Sequence, residues 1–85
     1  MNIKTTRTFD KEFNQLPEHI KRRTEKQLVL FMENPQYPSL HIKKMAGYKG
    51  IWEGRITYQY RFTFEIIGET FILRRIGTHD ILKTP

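Results

Sequence analysis

The sequence predicts an α+β fold, with two N-terminal helices packed on an antiparallel sheet of about four to five strands in the order β-α-α-β-β-β-β. Three observations carry this reading. Phe9, Phe13, Leu16 and Ile20 recur at steps of four, three and four, the spacing of one helix face. From Ile51 onward three runs alternate apolar and polar residues in the manner of strands. All of this fits in 85 residues, enough for one modest core and so for a single domain spanning 1–85.

Ile3 to Thr8 opens the chain as a short strand rich in β-branched side chains. Asp10 can accept from the free amides at the start of the first helix, and Pro17 suits the first turn of a second, where its missing N–H costs nothing. The second helix extends to about Glu33, with Ile20, Thr24, Leu28 and Phe31 inward and Lys21, Arg22 and Lys26 outward. Asn34-Pro35 stops it, because proline pushes the preceding residue out of the helical region. After an extended link, His41 to Met45 forms an edge strand and Gly47 to Gly50 a turn. The runs Ile51–Tyr58, Tyr60–Ile67 and Thr70–Gly77 follow, the last two joined by Gly68-Glu69, a two-residue link with glycine first.

Alternation then assigns the faces. Phe62, Phe64 and Ile66 share one side of their strand with Trp52, Ile56 and Tyr58 of the preceding run, and this apolar side meets the helices. Glu53, Arg55 and Arg61 project from the other side. In the last run Phe71 and Leu73 alternate with Ile72 and Ile76, so its register stays open.

Composition narrows the setting. The chain has no cysteine, which excludes a disulfide frame and a thiolate zinc site and suits a reducing cytoplasm. The longest apolar run, Leu28 to Met32, is far short of a membrane span, and the first residues lack the pattern of a secretory leader. No histidine pair has metal-ligand spacing, and there is neither a glycine-rich phosphate loop nor a serine elbow, so no metal or cofactor is expected. The formal charge of +6 points to an acidic partner or to nucleic acid.

RNA supplies its own nucleophile in the 2′-hydroxyl. Its cleavage therefore needs a base, an acid for the leaving 5′-oxygen, and cations for charge developing on phosphorus. His79-Asp80 follows the last strand, where side chains converge at a sheet end, and an imidazole exchanges protons near neutral pH. His79 is the candidate acid, Arg61 and Arg55 the candidate charge stabilisers, and Glu53 or a lysine the candidate base. Glu53 has the competing use of pairing with an arginine across strands. Lys43, Lys44, Arg74 and Arg75 are candidates for phosphate contact, with edge-strand protection the competing use of the lysine pair. Trp52 has an indole that can stack a base, but alternation turns it toward the core. Lys21, Arg22, Arg23 and Lys26 form a basic helix stripe, whose bland use is a solvated face and whose alternatives are ribosomal RNA or an acidic protein.

The ordered set Phe9-x3-Phe13-x2-Leu16-Pro17, Asn34-Pro35-x2-Pro38-Ser39-Leu40, Gly50-Ile51-Trp52-Glu53-x-Arg55-Ile56, Tyr60-Arg61-Phe62 and Gly77-Thr78-His79 resembles the RelE/ParE superfamily of type II toxins. The resemblance covers nearly the whole chain and is nearer to the ribosome-dependent RNases of the RelE, YoeB and YafQ kind than to the gyrase-poisoning ParE branch. It implies a microbial-RNase-like sheet, cleavage of mRNA in the ribosomal A site, and a cognate antitoxin. Carried over by position, the phosphate-stabilising arginine falls on Arg61 and the acid histidine on His79. Lys43 falls near a residue used ahead of the tryptophan strand, and the paired lysines of RelE fall on Glu53 and Arg55. The C-terminal tyrosine or phenylalanine of many relatives is replaced by Asp80, which is retained beside His79 as a catalytic candidate. A non-catalytic toxin acting on gyrase, or an inactive relative that binds RNA or antitoxin, are the rival readings.

Overall fold

The computed structural model describes residues 2–85. In chain order the elements are β1 (Asn2–Thr5), α1 (Arg7–Asn14), α2 (Glu18–Glu33), a 3₁₀ turn (Pro38–Leu40), β2 (Lys43–Lys44), β3 (Trp52–Arg55), β4 (Tyr60–Ile67), β5 (Thr70–Thr78) and a C-terminal 3₁₀ turn (His79–Lys83). They build one five-stranded sheet in the order β1-β5-β4-β3-β2. The sheet is mixed: β2 to β5 pair antiparallel as expected, whereas β1 lies parallel to β5, with Ile3 opposite Phe71. The return of the chain through two helices is the long crossover that parallel pairing requires.

β1 ends sooner than its β-branched residues suggest, because Thr6 is used as a cap. Its Oγ1 accepts from Phe9 N at 3.0 Å and donates to Arg74 O at 2.7 Å, so one hydroxyl starts α1 and ties it to β5. Asp10 lies in the first turn without that role. On α2 the buried residues are Ile20, Thr24, Gln27 and Phe31, with Leu28 half-buried. Gln27 is the unexpected member. Its amide donates to Arg55 O at 3.0 Å and Ser39 O at 3.3 Å, satisfying carbonyls where β3 and the 3₁₀ turn end beneath the helix.

The core centres on Phe31, whose ring centroid lies 5.5, 4.9 and 4.5 Å from those of Phe62, Phe64 and Phe71. Edge-to-face and tilted contacts of this kind suit the ring quadrupoles and add to area burial. Gly54, opposite Phe62 in β3, lets that ring lie flat on the strand: a Cβ there would collide with Phe62 and Ile42. Gly68 opens the β4–β5 turn at φ +60° while Glu69 keeps negative φ, which makes it a type II′ turn.

Two expectations about faces change. β3 ends at Arg55, so Tyr58 lies in the β3–β4 turn and is 77% exposed rather than in the core; Ile66, near the end of β4, is also exposed. In β5 a bulge at Arg74 places Thr63 opposite Arg75 but Phe64 opposite Leu73. The extra residue reverses the alternation, so Phe71 and Leu73 before the bulge and Ile76 after it all turn into the core.

Candidate active site

The strand register sets out the helix-free face of the sheet row by row. Lys43, Glu53 and Thr63 stand in line across β2, β3 and β4, and Arg55, Arg61 and Gly77 stand in line across β3, β4 and β5. Gly77 has a use here. A Cβ at that position would come within 2.9 Å of Ile81 Cγ2, so its absence lets the C-terminal turn fold back over the sheet beside Arg61. This fold-back delivers His79 to the row of arginines. Tyr48 Oη donates to Lys83 O at 2.6 Å and fastens the turn to the β2–β3 loop.

The result is an open cavity of about 420 Å³ whose lining includes Lys43, Lys44, Glu53, Arg55, Arg61 and His79, together with Tyr58 and Leu82. Six of the nine residues singled out from sequence therefore meet around one space. Arg74, Arg75 and Asp80 do not. The Arg74 guanidinium lies 3.5 Å from Glu65 and its Nε donates to Pro85 O at 3.3 Å. Arg75 makes a two-pronged contact with Glu12 of α1 at 2.7 and 3.3 Å and donates to Thr84. Asp80 sits 3.9 Å from Lys83 Nζ, outside the arginine cavity.

Arg55 and Arg61 are cross-strand partners, and like charges directly opposite each other cost stability. Neither has a carboxylate partner among the described residues. Arg61 is 6% exposed and spends Nε and Nη2 on Tyr58 O at 3.2 and 2.9 Å. Arg55 Nε is buried without a partner among the described residues. Burial and the neighbouring Arg55 hold the Arg61 guanidinium below its ordinary range, only partly offset by Glu53 and Tyr58. A buried and a half-buried guanidinium side by side form a site that gains from an anion.

Glu53 is 4% exposed, and its carboxylate is 3.2 Å from Lys43 Nζ. Lys44 turns the other way, its ammonium 5.4 Å from the Trp52 ring centroid, and that indole packs in parallel on Phe64. Tyr58, which alternation assigns to the helix-facing side, joins the site instead. Its ring lies 5.7 and 5.9 Å from the guanidinium carbons of Arg55 and Arg61, close enough for cation–π attraction. The signal available is that Gln59 alone separates the runs Ile51–Tyr58 and Tyr60–Ile67, too short a link for a hairpin, so the turn must take residues such as Tyr58 from the run before it.

No protein-family model matches the chain. Toxin RelE3 of Methanocaldococcus jannaschii is 32% identical over 82 residues, covering 89% of this chain and 88% of the relative. The toxin in the RelB-RelE antitoxin-toxin complex from Methanococcus jannaschii superposes with a TM-score of 0.75 at 26% identity, covering 95% of this chain and 98% of that one. YafQ from E. coli has the same fold, with a TM-score of 0.77 at 15% identity and coverage of 95% and 96%. On this identity over most of both chains, with the shared fold beside it, the chain belongs to the RelE family of type II toxins.

Proposed function

We propose that this toxin is a ribosome-dependent mRNA endoribonuclease that inhibits translation by metal-independent transesterification at the 2′-hydroxyl. The observation that carries the reading is the adjacent, carboxylate-free guanidinium pair of Arg55 and Arg61 in a cavity also lined by His79 and Glu53. The pair holds the non-bridging oxygens of the scissile phosphate and takes up the charge that grows on them in the transition state. Glu53 accepts the proton of the 2′-hydroxyl, whose oxygen attacks phosphorus. The bond from phosphorus to the 5′-oxygen breaks, and His79 protonates that oxygen, leaving a 2′,3′-cyclic phosphate. Lys43 pairs with the buried Glu53 at 3.2 Å and stands beside the phosphate path. Lys44 lines the same cavity, but its ammonium is turned to Trp52 and away from the phosphate. Arg74, Arg75 and Asp80 support the fold or flank the site instead of acting on phosphorus.

The basic surface and the toxin–antitoxin complexes among the structural neighbours support a cognate antitoxin of complementary charge as the resting partner. No helix among the described residues is long and apolar enough to cross a membrane, in keeping with a cytoplasmic place of action.

The test is induction in bacteria with primer extension on transcripts, with and without translation. Wild-type protein is expected to arrest growth and cut within translated codons, and His79→Gln to lower cutting by about 10²–10⁴-fold. Glu53→Gln paired with Lys43→Met assigns the base: loss in the first with retention in the second supports Glu53. Intact message beside DNA breaks would replace this reading with gyrase inhibition. Harmless induction would mark an inactive relative.

A further inference from the structure

Beyond the arginine cavity lies a second hollow, of about 520 Å³, lined by Tyr58, Gln59, Thr78, His79 and Asp80. Tyr58 and His79 line both spaces, so the two hollows adjoin at these residues. Their chemistry differs. The first is cationic. The second offers an aromatic ring, an amide, a hydroxyl, an imidazole and one carboxylate, a set that suits the face and edge of an uncharged ring better than a phosphate.

We infer that this hollow is a nucleobase subsite, and that it takes the base of the nucleotide on the 3′ side of the cut, stacked on Tyr58. The inference rests on the proposed chemistry in one respect: His79 protonates the 5′-oxygen of that following nucleotide, so the nucleotide must continue on the far side of His79 from the arginines. Tyr58 is suited to stacking because it is 77% exposed, yet its ring is steadied by two guanidiniums 5.7 and 5.9 Å from its centre. Asp80 finds its use here. A carboxylate beside a phosphate would repel it, whereas at a base edge it accepts from an exocyclic amino group, as carboxylates do with cytosine N4. This distinguishes cytosine, which carries that donor, from uracil, which presents an oxygen in its place.

The experiment is binding of 2′-O-methyl trinucleotides, which the protein cannot cleave, at low salt by fluorescence anisotropy. The bases compared at the nucleotide 3′ of the central phosphate are cytosine, uracil and none. Tyr58→Leu is expected to weaken the cytosine and uracil oligomers by about five- to a hundredfold and leave the abasic one unchanged, while Tyr58→Phe behaves as wild type. Asp80→Ala is expected to abolish the preference for cytosine over uracil. An equal effect of Tyr58→Leu on all three oligomers, no effect on any, or no binding by the wild type overturns the subsite. Arg61→Ala separates this from the catalytic reading, since loss of a phosphate contact weakens all three alike and flattens the salt dependence. If Arg61→Ala does so while Tyr58→Leu does nothing, the phosphate site stands and only the base subsite falls.

Discussion

The helix-free side of this sheet carries two arginine pairs, and the fold treats them in opposite ways. Arg74 and Arg75 each meet a carboxylate: Glu65 lies 3.5 Å from Arg74 and Glu12 takes two bonds from Arg75, with Pro85 O and Thr84 as further acceptors. Glu12 also accepts from Ile76 N, so one carboxylate joins α1 to the edge of β5 that β1 leaves uncovered. Burial beside Glu12 is more than offset by the hydrogen bond between them, which raises the affinity of Arg75 for its proton. Arg55 and Arg61 face each other with no ion pair to a carboxylate among the described residues, and Arg61 is held below its ordinary range. Charge alone does not separate the pairs. The inventory of carboxylate partners does, and on the proposed function the first pair supports the fold while the second receives the ligand.

The comparison can be broken most severely at Glu12. Glu12→Ala is expected to cost about 1–3 kcal/mol in urea unfolding, because it strands the Arg75 guanidinium and the Ile76 amide together. Folded variant protein should still cut message. A fall in cutting beyond the fall in folded fraction would place the Arg75 pair in the site after all. Next in size is an anion effect. Inorganic phosphate at ten times its dissociation constant is expected to stabilise the wild type by about 1.4 kcal/mol. Arg55→Ala should remove that gain and Arg74→Ala should keep it, both read as shifts in melting temperature. The smallest effect belongs to Lys43→Ala, which breaks a pair whose lysine is largely exposed. A change in stability below about 1 kcal/mol is expected in the same melts.

Much of this was legible in the residues. The stripe from Phe9 to Ile20, the stop at Asn34-Pro35 and the glycine-led hairpin at Gly68 are local signals, and the elements they predict are present. Glu53, Arg55 and Arg61 share a face because alternation holds wherever the strand is regular. What escaped depends on distant partners. The parallel seat of β1 is chosen by β5, nearly seventy residues away, and the bulge at Arg74 turns Arg75 by one position in a way no local pattern announces. Gln27 reads as a surface residue until the carbonyls of Arg55 and Ser39 appear beneath it. The separation of Asp80, Arg74 and Arg75 from the cavity is of the same kind, since their partners Lys83, Glu65 and Glu12 compete for them in three dimensions.

The central claim is that the pair without a bonded carboxylate, and not its carboxylate-paired neighbour, receives the scissile phosphate. The most direct measurement is cleavage of a translated message by purified Arg61→Ala and Arg74→Ala proteins, side by side with wild type on programmed ribosomes. The account predicts a loss of about 10²–10³-fold for Arg61→Ala and near wild-type cutting for Arg74→Ala. Equal cutting by the two variants, or the reverse order, would contradict it.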